Sequence, residues 1–224
     1  MLAVLLLIGS GRVSAQDGEV PSPELQLTPQ SDSLLFRLTG LPADGRGVWV
    51  LQSSIDLSDW EDLAIFDKPA APGADVELEL GIGSTPNPGA AQQFFRACAL
   101  EAEGPYLRDY LAARDTWRRS GVDDYTIETR WFVSQFVWHG TVKVRDHAVD
   151  SSEVIFTNFF DPPEPKTIDD WFDQLKSFID QEADEIIVTY DAVFGYPISV
   201  SVDVSFQIAD EEQSWSILSF NPQR

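Results

Sequence analysis

The chain has 224 residues, 43% of them hydrophobic, with 37 acids against 15 bases and a formal charge of −22 at pH 7. That length and apolar content exclude a disordered chain and leave room for one large or two small folded domains. The charge argues against nucleic-acid binding and against anionic membrane surfaces, because no Lys/Arg cluster exists to hold phosphate groups.

The chain opens MLAVLLLIGSGRVSAQDG. Leu2 to Ile8 is a short apolar run, and Val13-Ser14-Ala15 is a small-residue step of the A-x-A kind. Residues 1–15 therefore read as a signal peptide cleaved after Ala15, and a buried N-terminal strand is the weaker alternative. The run is too short to span a bilayer, so the expected protein is secreted or periplasmic, without membrane insertion once the signal is removed. An oxidising compartment permits disulfides, yet Cys98 is the single cysteine, so packing must hold the fold. Cys98 reads as a small buried hydrophobe.

Residues 16–22 form a polar linker, and residues 23–100 read as short strands separated by turns. LLFRLTGL, GVWVLQSSIDL, VELEL and QQFFRACAL are β-favouring runs, whereas LPADGRG, KPAAPGA and GSTPNPG are loop compositions. A small antiparallel β-sandwich follows. Its segments VLQSSIDLSDWEDLAIF and QFFRA resemble a β-sandwich module of exported bacterial proteins with the pattern L-Q-S-S-T-D-L, then W, then F-Y-R-A. Ile55 stands for the Thr and Phe95 for the Tyr. The resemblance implies an accessory module with no activity attached, and Trp60 and Phe95 read as core.

Residues 101–224 change period. PYLRDYLAARDTWRRSG is helical, with Leu107, Leu111, Arg114 and Trp117 on one side, Tyr110 beside them and Gly121 placed to stop it. Two β-favouring runs, DYTIETRWFVSQFVW and TVKVRDHAV, are expected to meet near His139-Gly140, and SSEVIF to add a third strand. After DPPEPK, Thr167 caps a second helix whose apolar stripe is Ile168, Trp171, Phe172, Leu175, Phe178 and Ile179. Three more strands follow: DEIIVTYD, an alternation from Ile198 to Ile208, and QSWSILSF. The expected fold is α+β, in the order α-β-β-(β)-α-β-β-β, with both helices on one face of an antiparallel sheet.

The blocks DDYTIETR, TIDDWFDQL, VTYDAVFGYPISVSVD and IADEEQSWSILSF resemble an uncharacterised family of secreted bacterial domains of unknown function. The resemblance implies this compact α+β fold and export. Many members of that family carry a Cys-aromatic-Cys step where this chain has Trp131-Phe132-Val133, so any redox or metal role of that pair is not carried over.

The residues that could carry chemistry are few. Asp191, Gly195 and Pro197 each have a turn-making reason, a side-chain acceptor, a positive φ and a strand start that needs no donor, and Tyr196 belongs to the same turn-forming motif. Asp210, Glu211 and Glu212 are weak candidates for a Ca²⁺ site, although the spacing matches no EF-hand loop. The two histidines, His139 and His147, read as turn residues, and no G-x-S-x-G or H-E-x-x-H occurs. GIGS at 81–84 lacks the rest of a dinucleotide fingerprint. The expectation is a non-catalytic binding or scaffolding protein without a cofactor, meeting a protein or glycan outside the cytoplasm. Its wet serine-bearing strand face, Trp138 and Tyr196 are the first places to look for contact. A Ca²⁺-binding module and a carboxylate-dependent hydrolase are the rivals.

Overall fold

The computed structural model describes residues 3–9, 23–41, 48–67, 74–81, 83, 92–100, 104, 106–208 and 211–223. The chain divides into two compact units, Met1–Leu111 and Ala112–Arg224. The architecture is α+β.

The first unit contains β1 (Ala3–Gly9), β2 (Glu24–Pro29), β3 (Ser33–Thr39), β4 (Val48–Ser54), β5 (Glu61–Ile65), β6 (Val76–Gly81) and β7 (Gln92–Leu100). They form two sheets, ordered β1-β7-β4-β5 and β2-β3-β6. Alternate apolar residues of the two sheets meet in one core: Leu34, Phe36, Leu38 and Leu80 from one, Leu51, Leu63, Phe95 and Ala97 from the other. The Phe36 and Phe95 rings lie 5.0 Å apart across it. This is a β-sandwich, because each sheet has one apolar face to bury. All pairings but one are antiparallel; β1, the apolar run of the chain's opening, lies parallel to β7 with Ala3 opposite Gln92. The proposed cleavage point at Ala15 and the linker at 16–22 lie outside the described residues.

The second unit begins within α1 (Leu107–Ser120) and continues with β8 (Tyr125–Val133), β9 (Phe136–Arg145), β10 (Ala148–Thr157), α2 (Ile168–Asp180), β11 (Glu185–Tyr190), β12 (Pro197–Asp203) and β13 (Gln213–Pro222). The six strands form one antiparallel sheet in the order β10-β9-β8-β13-β12-β11.

Local chemistry sets both helix ends. Thr167 and Asp170 form a reciprocal capping box: the Thr167 hydroxyl accepts from the Asp170 N–H at 3.0 Å, and the Asp170 carboxylate accepts from the Thr167 N–H at 2.7 Å. Gly121 ends α1 at φ +62°, a left-handed stop. Ile168, Trp171, Phe172, Leu175 and Phe178 are all buried against the sheet. Trp171 stacks on Trp215 at 5.0 Å and meets Trp131 edge-on at 5.5 Å. Trp117 of α1 meets Tyr125 at 5.5 Å. Trp131, Tyr125 and Trp215 share one parity of the pleat, so both helices cover the same face of the sheet.

Three sequence expectations are corrected here. The tip between β8 and β9 is Ser134-Gln135, and His139-Gly140 lies inside β9. Gly140 is there for space, because a Cβ on it would stand 2.5 Å from the Glu153 carbonyl oxygen and 2.8 Å from the Trp138 ring. The alternating run from Ile198 stops at Asp203, and Phe206 and Ile208 are exposed. Beyond β12 the backbone turns: the Phe206 N–H donates to the Asp184 carboxylate at 2.8 Å and the Ile208 N–H to the Ser205 carbonyl at 3.0 Å. Finally, Trp138 and Tyr196 are buried, at 3% and 8% exposure, and are unavailable as contact aromatics.

Candidate functional site

The DAVFGYP segment connects β11 to β12. Asp191 accepts from the Val193 and Phe194 N–H groups at 2.9 and 2.7 Å, its carbonyl accepts from the Gly195 N–H at 2.9 Å, and its own N–H donates to the Tyr196 carbonyl at 2.8 Å. Gly195 has φ +81° and sits against α1, where a Cβ would lie 2.3 Å from the Ala113 carbonyl oxygen. Tyr196 packs on Trp117 and Phe220, and Pro197 opens β12. Each of these residues is occupied in holding the turn to the helix. The contact with α1 is invisible in the local sequence.

The acidic residues before β13 are placed separately. Asp210 lies outside the described residues. Glu212 is exposed, and its carbonyl accepts from the Ser134 N–H at 3.0 Å, which ties this connection to the β8–β9 tip. Glu211 Oε1 and Asp203 Oδ1 are both buried without a hydrogen-bond partner. Among the described residues, no three His, Cys, Asp or Glu side chains gather where they could hold a metal ion.

The histidines sit apart. His139 is in the strand, with Nε2 2.8 Å from the Glu128 carboxylate. His147 forms a tight turn with Asp146, at φ +62° and +48°, and lies 3.1 Å from Asp123.

A cleft of about 290 Å³ opens in the first unit beside Ser53, Ser54, Asp56, Asp59, Trp60, Glu61 and Gln93. The SSIDLSDW segment builds it. Asp56 Oδ1 accepts from the Ser54 hydroxyl and from the Ser58 and Asp59 N–H groups at 2.9, 2.9 and 3.1 Å. These donors hold the Asp56 carboxyl well below the usual carboxylate range, so it stays ionised and cannot act as a general acid at neutral pH. The Trp60 indole N–H donates to the Leu57 carbonyl at 3.2 Å, and the Arg96 guanidinium lies 4.0 Å above the ring. The resemblance implies that Trp60 and Phe95 are core; Phe95 is, whereas Trp60 is only partly buried and forms a wall of the cleft. The Asp56 carboxylate and the Ser54 hydroxyl are spent on the turn itself. Cys98, on the same sheet, donates to Gln52 Oε1 at 3.3 Å, and burial pushes its thiol upward, which makes it a poor nucleophile at neutral pH.

The most extensive arrangement is the face of the six-stranded sheet away from the helices. The pairings align Thr189, Ser199, Ser216, Arg130 and His139 in one row across β11, β12, β13, β8 and β9. Ile187, Ser201, Ser214, Phe132 and Val137 form the adjacent row. Nothing local to His139 marks it as part of such a surface, because register between distant strands aligns these rows.

On the covered side, the Ile168 N–H donates to the buried Tyr125 hydroxyl at 2.9 Å, and burial raises the phenol pKa. The folded value lies above the unfolded one. Its stabilisation is therefore complete below pH ~10, the unfolded value, and is lost as pH rises further, by ~1.4 kcal/mol per pH unit. Urea unfolding between pH 7 and 11 is expected to show this decline. Tyr125→Phe should flatten most of it while costing about 1 kcal/mol at pH 7, since the Ile168 N–H loses its acceptor. An unchanged slope in the variant would assign the decline elsewhere.

Among the described residues no helix is long and apolar enough to cross a membrane. Neither the curated proteins nor the solved structures contain a match to this chain. Residues 109–222, just over half of the chain, match a family described as of unknown function (DUF6174). The match covers nearly all of α1 and every element of the six-stranded sheet and α2. The chain belongs to the DUF6174 family.

Proposed function

We propose that the protein is an exported, non-catalytic binding or scaffolding module, in which the N-terminal β-sandwich is accessory and the six-stranded sheet carries the contact with a protein or glycan outside the cytoplasm. The observation that carries the reading is the uncovered face of that sheet. Both helices lie on the other side, so hydroxyl and guanidinium groups, with the His139 imidazole half-buried against Glu128, stand in cross-strand rows on the face away from them. A surface of this kind offers regularly spaced polar contacts and no enclosed space for chemistry.

Export is supported by the apolar run and the A-x-A step of residues 1–15, and by the resemblance of the remaining chain to modules of secreted bacterial proteins. The LQSSIDL, Trp60 and QFFRA segments support the accessory role of the sandwich. Ca²⁺ at the connection before β13 is the rival reading, supported by the unpartnered Asp203 and Glu211 oxygens.

The test uses protein recovered from the culture fluid or envelope, which should begin at Gln16. Its retention of partners from that compartment is compared with the double variant Ser201→Arg, Ser214→Arg. These two serines are directly paired on the open face, so the variant blocks the face without touching the core. Saturable retention that weakens at least tenfold in the variant is the expected result. Equal retention by both proteins would overturn the reading.

A further inference from the structure

We propose that β10 is a docking edge for a cationic extended segment of a partner protein, which adds to the sheet as a seventh strand. The inference rests on the binding-module reading and names the partner's chemistry.

Among the described residues, β10 is one of the two outer strands of the sheet and pairs only with β9. Nine of its ten residues are exposed, so its free side is uncovered along nearly its whole length. The opposite outer strand, β11, also has a free edge, but one of its faces is covered: Ile186 is buried and Val188 and Tyr190 half-buried on alternate positions. An uncovered strand presents a row of N–H and C=O groups without partners, roughly one pair for every second residue.

The end of β10 is apolar on both sides. Val154 stands opposite Gly140 on the helix side and Phe156 opposite His139 on the other, and Val154, Ile155 and Phe156 are 48%, 54% and 54% exposed. Phe136 extends this surface at 38% exposure, held by stacking on Phe159 at 5.2 Å. Phe160 is fully exposed next to it in sequence. Three consecutive apolar residues half open to water on a free edge make a contact surface that a partner strand would dry.

Charge selects the partner. The acids of the strand itself, Asp150 and Glu153, are exposed, whereas Asp161 and Glu164 belong to the connection that turns back across β9 toward α2. The cations of β9 near the strand, Lys143 and Arg145, lie toward its other end, 3.8 and 3.7 Å from Asp150. A second copy of this chain is a poor occupant, because it brings another charge of −22 and sets like carboxylates against each other. A segment alternating apolar residues with Lys or Arg satisfies the backbone, the apolar end and the acids together. The β-bulges at Val149/Ser151 and Val154/Phe156 interrupt the edge, so the added strand is short, about four to six residues, and stacking of further copies is blocked.

The test takes the full chain and three synthetic ten-residue peptides: alternating Val/Lys, alternating Val/Glu, and a Val/Lys peptide with two central prolines. Amide hydrogen exchange is read along the sheet, with affinity from titration. Saturable binding of the unbroken Val/Lys peptide, with slowed exchange confined to residues 151–157, is expected. The other two peptides should bind at least tenfold more weakly, and Glu153→Lys should reverse the preference between Val/Lys and Val/Glu. Equal binding of the proline-broken peptide would reduce the effect to charge alone and overturn the proposal. Absence of Val/Lys binding, or concentration-dependent dimers that protect residues 151–157, would also overturn it. Protection on the Ser199–Ser216 rows instead would overturn the edge while leaving the open-face reading intact.

Discussion

Gly195→Ala is expected to destabilise the second unit by about 2–5 kcal/mol. Two costs add. The residue holds φ +81°, where a side chain costs ~1–2 kcal/mol. The new Cβ would also stand 2.3 Å from the Ala113 carbonyl oxygen, 2.8 Å from Thr116 Cβ and 3.0 Å from the Trp117 nitrogen. These are mainly backbone atoms of a helix, so relief requires moving α1 or the turn, at a further cost of about 1–3 kcal/mol. Urea unfolding followed by circular dichroism measures the loss. Gly121→Ala provides the comparison, with the same sign of φ at +62° but nothing within 4 Å of an added Cβ. It should lose only the conformational part. Equal losses at both positions would show that the helix contact contributes nothing.

Trp215→Ala is expected to cost about 3–5 kcal/mol, as removal of a large side chain from a packed interior does. Trp215 is completely buried, stacked on Trp171 at 5.0 Å and flanked by Phe178 at 6.5 Å. In the sheet it pairs with Trp131 on one side and Val200 on the other. Losing it opens a cavity exactly between α2 and the centre of the sheet, where neither a helix shift nor a strand shift can close it without breaking other contacts. Trp215→Phe is informative beside it. The indole N–H is buried without a hydrogen-bond partner, as are those of Trp131 and Trp171. Phenylalanine keeps most of the stacked area and removes an unpaired donor whose burial costs about 1–3 kcal/mol. The Phe variant should therefore retain most of the stability. Thermal and urea unfolding of both variants test this; a Phe variant as weak as the Ala variant would mean that the indole shape, not the buried apolar area, holds the layer together.

The two variants probe features of different legibility. The α2 stripe could be read directly, because Ile168, Trp171, Phe172, Leu175 and Phe178 recur at helical spacing and Thr167 and Asp170 cap the helix from within four residues. That Trp215 would be the residue under it could not. The pairing of β13 with β8 joins positions more than eighty residues apart, and nothing local specifies that register. Gly195 was legible as a turn residue, since Asp191 and Pro197 lie on either side of it. Its second duty, clearing the α1 backbone, belongs to a contact between segments distant in sequence.

The corrected expectations share this origin. His139-Gly140 has the composition of a turn, but Gly140 is needed where the Trp138 ring and the Glu153 carbonyl crowd one strand position. The true tip, Ser134-Gln135, lacks the Gly, Asn or Pro that usually announces one, and it is held by the Glu212 carbonyl from a remote connection. The alternation beyond Asp203 predicted more strand than forms, because period-two patterning describes which side chains could share a face and not whether a partner strand is present. The burial of Trp138 and Tyr196 is illegible for the same reason: coverage by segments distant in sequence is not encoded in the flanking residues.

The amino-acid sequence by itself determined the α+β class, the order α-β-β-(β)-α-β-β-β with its third strand left open, the capped α2 helix and the turn chemistry at Asp191, since each depends on residues within one helical turn or one hairpin. Only the tertiary structure decided which face of the sheet is covered, which serines and charges stand in common rows, and that β10 is exposed on both faces while β11 is covered on one. Those outcomes depend on strand register and on where two helices come to rest, and both are set by long-range burial that no short stretch of chain can express.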